Sequence, residues 1–192
     1  MGVREEKKRE TRARLERAAF ELFDERGYEQ TTVDDVASRS GVSARTVFRY
    51  FPAKADLVFA DAASDLARLR THLAAQDWAL PALEAIRIAL SEFSQGFGTS
   101  TNAERMRLID SNPTLMARGL AERELWAEAI AAELAARRGL EAPDERARLG
   151  GLLVISILVS AVRDWAGPGR DSQSLREAVD RTAGWAADML QS

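Results

Sequence analysis

At 192 residues and 46% hydrophobic content, the chain is long enough to bury a real core in one or two modest domains. It has no cysteine and a single histidine, which excludes disulfides, thiolate zinc sites and cysteine nucleophiles, and no metal or other cofactor is expected. The net charge of −3 argues against nucleic acid only until its spread is read: residues 1–54 hold 12 basic and 10 acidic side chains, so the deficit lies in the rest.

Almost every segment shows helical spacing and none alternates as a strand would, so the expected fold is all-α. Met1 to Glu10 is charged throughout and lacks the apolar stretch of a secretory signal, so a cytoplasmic location is expected. The first helix, Arg4 to Arg26, puts Leu15, Ala19, Leu22 and Phe23 on one face and stops at Gly27. Thr32 caps a second, Val33 to Arg39, with Asp35 three residues into the helix completing a capping box. Gly41 breaks it, and Ser43 caps a third, Ala44 to Tyr50, ahead of Phe51 and Pro52. From Lys54 the stripe Val58, Ala62, Leu66, Leu69, Leu73 predicts one long fourth helix joining a three-helix head, residues 1–53, to a body of about six helices, residues 54–192.

In the body a fifth helix spans Leu80 to Phe97, loosened by Gly96 and Gly98, and a short sixth lies near Ala103 to Ser111. Asn112 and Pro113 read as the cap and first turn of a seventh, which ends in Arg137, Arg138 and Gly139. The eighth opens at Pro143 or Asp144 and stops at Gly167-Pro168-Gly169; the ninth opens with the capping box Ser174/Glu177 and carries Leu175, Val179, Ala183, Ala186 and Leu190. The apolar run Gly151 to Val162 is 12 residues, against the roughly 20 of a membrane span, so a buried helix and no membrane partner are expected.

The sharpest feature is Thr31 to Leu57, TTVDDVASRSGVSARTVFRYFPAKADL. A helix-turn-helix needs two short helices at a steep angle, a small residue where they cross, a glycine in the turn and apolar side chains holding both down. Ala37, Gly41 and the trio Val36, Val42, Val47 supply these, leaving Ala44, Arg45, Thr46, Phe48, Arg49 and Tyr50 facing outward. Singly, Arg45 and Arg49 fit a solvated charged face, Tyr50 fits a core position and Ser43 fits any helix cap. In one register beside Gly41 they point to DNA. For Arg4, Lys7, Lys8 and Arg9, contact with DNA and simple solubility stand about level.

Residues 9–58 resemble the TetR (tetracycline-repressor-type) regulators, through Phe20 to Phe23, Gly27-Tyr28, Thr31-Thr32-Val33, Gly41-Val42-Ser43 and Tyr50-Phe51-Pro52 followed by Lys54 and Leu57. The resemblance implies double-stranded operator DNA as partner, with Arg45, Thr46 and Arg49 in the major groove and Ser43, Tyr50, Thr31 and Lys54 at phosphates; Thr32, Ala44 and Phe48 complete the expected DNA surface. Relatives carry tyrosine and histidine where this chain has Phe48 and Arg49. Bidentate arginine on guanine suits base discrimination, whereas hydroxyls and an ammonium suit sequence-blind anchoring.

The eighth helix is apolar all round, so its outer side needs a cover; an intersubunit four-helix bundle of the two C-terminal helices supplies one and makes the chain a homodimer. Burial within one chain is the alternative. The small-molecule effector is expected among Phe93, Phe97, Met106 and Ile109, then Met116, Trp126 and Ile130, and finally Ile155, Val159 and Arg163. Residues 106–165 weakly resemble the ligand domains of TetR-type regulators with acyl-CoA-like effectors, which implies that Arg105, Arg107, Arg118 or Arg163 meets a charged ligand group; ordinary ion pairing fits any one of them as well. His72 sits with no carboxylate constellation in view and no phosphate loop is present, so no catalysis is expected. A ligand-responsive homodimeric repressor is the reading these features favour. A sequence-blind architectural DNA binder and a dimeric interaction module without DNA affinity are the alternatives.

Overall fold

A computed structural model describes residues 2–77, 79–97, 100–167 and 174–191, all in helices and connecting turns. The ten helices are α1 Val3–Arg26, α2 Val33–Ser40, α3 Ala44–Tyr50, α4 Lys54–Val58, α5 Ala62–Ala75, α6 Ala82–Phe97, α7 Ser100–Ser111, α8 Pro113–Arg137, α9 Glu145–Ala166 and α10 Leu175–Gln191. The expected loosening at Gly98, the Pro168 and Gly169 of the expected stop, and the side chain of Leu190 lie outside the described residues. Contacts divide the chain into two compact units, residues 1–61 and 62–192.

The long fourth helix of the sequence reading is two helices. Its apolar stripe is continuous, but the backbone leaves α-helix over residues 59–61. The Ala60 carbonyl, without a helical partner there, accepts from the Arg12 guanidinium, which itself lies over the Phe51 ring at 4.6 Å. α4 packs on α1 and belongs to the first unit.

The first unit closes around Leu15, Ala19, Leu22, Phe23, Val36, Val47, Phe51 and Leu57, all buried. The second is built around α9, which packs between α8 and α10; α10 reaches α6, α6 reaches α5, and α7 lies on α8 and α9. Its core joins Leu69, Leu73, Ile86, Leu90, Phe93, Ile130, Val154, Leu158 and Val179. Ion pairs tie the same neighbours at the rim: Arg87–Asp180 at 2.7 Å for α6 and α10, Arg163–Asp110 at 2.8 Å for α9 and α7, and Arg70–Glu133 at 3.4 Å for α5 and α8.

Gly151 explains how closely α8 and α9 approach. A Cβ built at that position would run into the Ala127 carbonyl oxygen, so only glycine fits the crossing. By length and composition α9 could cross a membrane, yet 44% of its apolar window is buried inside the protein. The asymmetry is in its outer face, where Leu149 and Leu152 are 67% and 54% exposed. The sequence expectation of a helix needing an outer cover is therefore met on one side by α8 and α10, while Leu149 and Leu152 stay uncovered.

Candidate nucleic-acid interface

The turn between α2 and α3 is fixed by local chemistry. The Thr32 hydroxyl accepts from the Asp35 backbone N–H at 3.2 Å, and the Asp35 carboxylate accepts from the Thr32 N–H at 2.9 Å, so two free donors at the start of α2 are satisfied reciprocally. Gly41 takes φ 66°, the left-handed turn that lets α3 leave at a steep angle. Ser43 then accepts from the Thr46 N–H at 3.2 Å and opens α3. Val47 is the buried anchor of α3, while Val42 is only half-buried.

With Val47 inward, helical spacing turns Arg45, Phe48 and Arg49 outward. Arg45 makes no hydrogen bond or ion pair among the described residues. Phe48, a large apolar ring, is 50% exposed, and Arg49 lies over Tyr50 at 5.2 Å. Arg39 on α2 is the contrasting case. It is held by Glu25 at 2.7 Å and Glu21 at 3.4 Å on α1, and its guanidinium keeps the Glu25 carboxyl below the usual carboxylate range. Arg39 is a brace, whereas Arg45 is an exposed donor with its valence unspent.

Two residues expected at phosphates have other work. Thr31 is 1% exposed, and its hydroxyl donates to the Leu22 and Gly27 carbonyls at 3.2 and 2.9 Å, which tie the chain after α1 back to the end of that helix. A buried hydroxyl with two intramolecular acceptors is not a phosphate ligand. The Lys54 ammonium donates to the carbonyls of Tyr28 and Thr31 at 2.8 and 3.0 Å and sits 4.1 Å from the centre of the Tyr28 ring. Glu29 O, at 3.5 Å, is a third and weaker acceptor. Burial, and then the charges of Glu29 and Asp56, push the Tyr28 phenol up.

One feature of the head escaped the sequence reading. Arg4, Glu5, Lys7, Lys8 and Thr11 of α1 share a groove of about 730 Å³ with Arg49 and Tyr50, so three cations and one acid from the first turns of α1 adjoin the basic surface of α3. Their i, i+3, i+4 spacing was visible, but not which neighbour they would face.

The candidate effector residues divide. Phe93, Ile130 and Ile155 are buried in the second unit's core, with Phe97, Met106, Trp126 and Val159 packed against it; Phe93 and Phe97 stack at 5.2 Å. Ile109 is buried, but Met116 is 38% exposed on α8, because its turn of the helix faces away from Leu115 and the core. Arg163 is paired with Asp110, Arg118 with Glu122 at 2.9 Å, and Arg107 donates to the Ala166 carbonyl at 3.3 Å. Arg105 is the buried one, 7% exposed, donating to Asn102. His72 departs from expectation: its Nδ1 lies 3.3 Å from a Glu92 carboxylate that also accepts from Gln76, an arrangement that joins α5 to α6. Among the described residues no three His, Asp or Glu side chains gather as metal ligands.

The profile of the bacterial regulatory proteins of the tetR family matches residues 16–60, and that of the MftR C-terminal domain matches residues 80–188. The chain is 32% identical over 164 residues to the protein described as a mycofactocin biosynthesis transcriptional regulator, MftR, of Mycobacterium tuberculosis, covering 84% of this chain and 81% of that one. The chain belongs to the TetR family. It is also 33% identical over 152 residues to the regulator TcmR of Streptomyces glaucescens, covering 75% and 67% of the two chains. Among solved structures, a TetR-family regulator from Syntrophomonas wolfei shares the fold with a TM-score of 0.68 at 15% identity over 96% of this chain and 97% of its own. Thermus thermophilus FadR, a repressor solved with lauroyl-CoA, does so with a TM-score of 0.57 at 22% identity over 92% and 93%. This TetR-family member is thus a DNA-binding transcriptional regulator, of a family whose members respond to ligands, and not an enzyme.

Proposed function

We propose that this TetR-family protein is a cytoplasmic homodimeric repressor that reads its operator through α3 and leaves it when a small apolar or acyl-type effector enters the helical body. The exposed Arg45, with no partner among the described residues while Arg39 one helix away is fully braced, is the observation that carries the DNA half. Arg45, Thr46 and Arg49 read base edges, Phe48 and Ala44 meet thymine methyls, and Ser43, Tyr50 and the N-terminal turn of α2 at Thr32 approach the backbone. Two heads are needed to meet half-sites about 34 Å apart, and the uncovered face of α9 with the exposed Trp185 and Met189 of α10 supports a dimer through the two C-terminal helices. The acyl class is supported by the FadR regulators solved with lauroyl-CoA and stearoyl-CoA and by the apolar core around Phe93 and Phe97.

Selection of bound genomic fragments followed by release with acyl-CoA thioesters tests this reading. A specific operator, released by an acyl-CoA whose own affinity falls by the same factor when the operator is present, is the expected result. Retention of all DNA alike would make the protein an architectural binder, and retention of none, with the protein folded, an interaction module.

A further inference from the structure

An unpartnered charge of the second unit lies outside the proposed DNA surface, in a groove that it shares with Ile155 and Val159 of the expected effector residues. α8 and α9 enclose a groove of about 470 Å³ lined by Leu120 and Arg123 on one wall and by Leu152, Ile155, Ser156 and Val159 on the other. Arg123 is half-buried there and makes no hydrogen bond or ion pair among the described residues. Burial, and then the charge of Arg163, lower its pKa, with Asp110 opposing them. Glu124, next in sequence, sits exposed at the rim and is not among the charges acting on it. A guanidinium in this position costs desolvation that the charge of Asp110, itself paired with Arg163, does not outweigh, so the chain by itself leaves the groove unfinished.

The complement is on the same chain. On α10, Trp185 and Met189, four residues apart on one face, are 56% and 77% exposed, and the exposed Asp188, three residues after Trp185, flanks that face. Asp188 has no hydrogen-bond or ion-pair partner among the described residues. Gly184 beside Trp185 has open space where a side chain would be, although glycine within a helix is destabilising; this is the arrangement expected where a second backbone comes close. An exposed apolar ridge flanked by an acid on one element thus matches an apolar groove that holds a cation on others.

We infer that the groove between α8 and α9 receives the exposed ridge of α10 from a second copy of the chain, with Asp188 of that copy meeting Arg123 between Leu120 and Leu152. This rests on the homodimer proposed above and adds α8, a helix of the effector-binding body, as the third element of the interface. In a twofold dimer the contact occurs twice, since each copy offers both groove and ridge. One reversed charge therefore removes two ion pairs.

The test is the dimer dissociation constant of the full-length chain by analytical ultracentrifugation, for wild type, Arg123→Asp, Asp188→Arg and the double variant. Each single reversal is expected to raise the constant about 100-fold or more, and the double variant to return it to within about tenfold of wild type. Should a reversal fail to fold, as read by circular dichroism, Arg123→Gln and Asp188→Asn report the same contact with a smaller loss. A wild-type dimer that both reversals leave unchanged, or two folded, weakened singles that do not rescue each other, overturns the inference alone. A wild type that is monomeric at micromolar concentration overturns the dimer reading itself. Saturable laurate binding lost in Arg123→Gln, in a dimer indifferent to Asp188→Arg, assigns the groove to a small anionic amphiphile instead.

Discussion

The head and the body are both helices around an apolar core, but different forces fix their side chains. In residues 1–61 nearly every turn is held by a directed bond: Thr32 with Asp35, Ser43 with Thr46, Thr31 on two carbonyls, Lys54 on a carbonyl cluster. In residues 62–192 caps and ion pairs lie at the helix ends and the rim, while the interior positions follow from packing, with Gly151 admitting α8 and a continuous core reaching from Leu69 to Ala183. Directed bonds need particular residue types at particular spacings, whereas packing needs only apolar volume. The head therefore carries a motif that reads as a function, and the body carries stripes that read only as helices.

Two glycines sharpen this contrast, and the body should show the larger effect. Gly151→Val drives a side chain into the Ala127 carbonyl and is expected to cost about 3 kcal/mol in chemical denaturation. Gly41→Ala meets no atom and costs only the left-handed backbone at φ 66°, about 1 kcal/mol. If the two losses came out equal, packing and backbone conformation would not divide the units as described.

Lys54 decides what a directed bond is for. Lys54→Met removes a charged donor from the carbonyls of residues 28, 29 and 31 and is expected to lower stability by about 2 kcal/mol. The slope of DNA affinity against salt should stay at the wild-type value, since the ammonium faces the protein. A slope reduced by about 1 with stability intact would return Lys54 to the phosphates. Arg45→Ala is the complement, with unchanged stability and about 1 to 3 kcal/mol less discrimination at one base position, read by competition between operator variants.

The sequence made the caps legible because each is a local pair: Thr32/Asp35, Ser43 and Asn112-Pro113 are found where three-residue spacing put them. It did not reveal the intramolecular bonds of Thr31 and Lys54, because their partners are carbonyls, which every residue carries and no pattern marks. It joined α4 to α5 because an apolar stripe continues across a break that contains neither glycine nor proline. Arg123 and Asp188 stayed hidden for a related reason. A charge on a helix looks solvated until the fold shows that one is half-buried and the other flanked by exposed apolar side chains.

The smallest effect is the one in which head and body should agree. Asp35 is held below the usual carboxylate range chiefly by the Thr32 hydroxyl, then by the Thr32 N–H; Asp144, which caps α9, is held low chiefly by Arg138 at 2.8 Å, then by the Ala147 N–H. A carboxyl whose folded pKa lies below its unfolded value adds stability above the unfolded value, about 3.9, and loses it as pH falls through the folded one. Asp35→Asn and Asp144→Asn should each flatten the fall in stability on acidification from about pH 5 while leaving the alkaline side unchanged. Thr32→Ala should lose about 1 kcal/mol near neutrality and flatten the same acid limb, because it frees the Asp35 carboxylate as well as the end of α2. An acid limb unchanged in Thr32→Ala would mean that Arg26, 3.1 Å from Asp35, and not the cap, holds that carboxylate low.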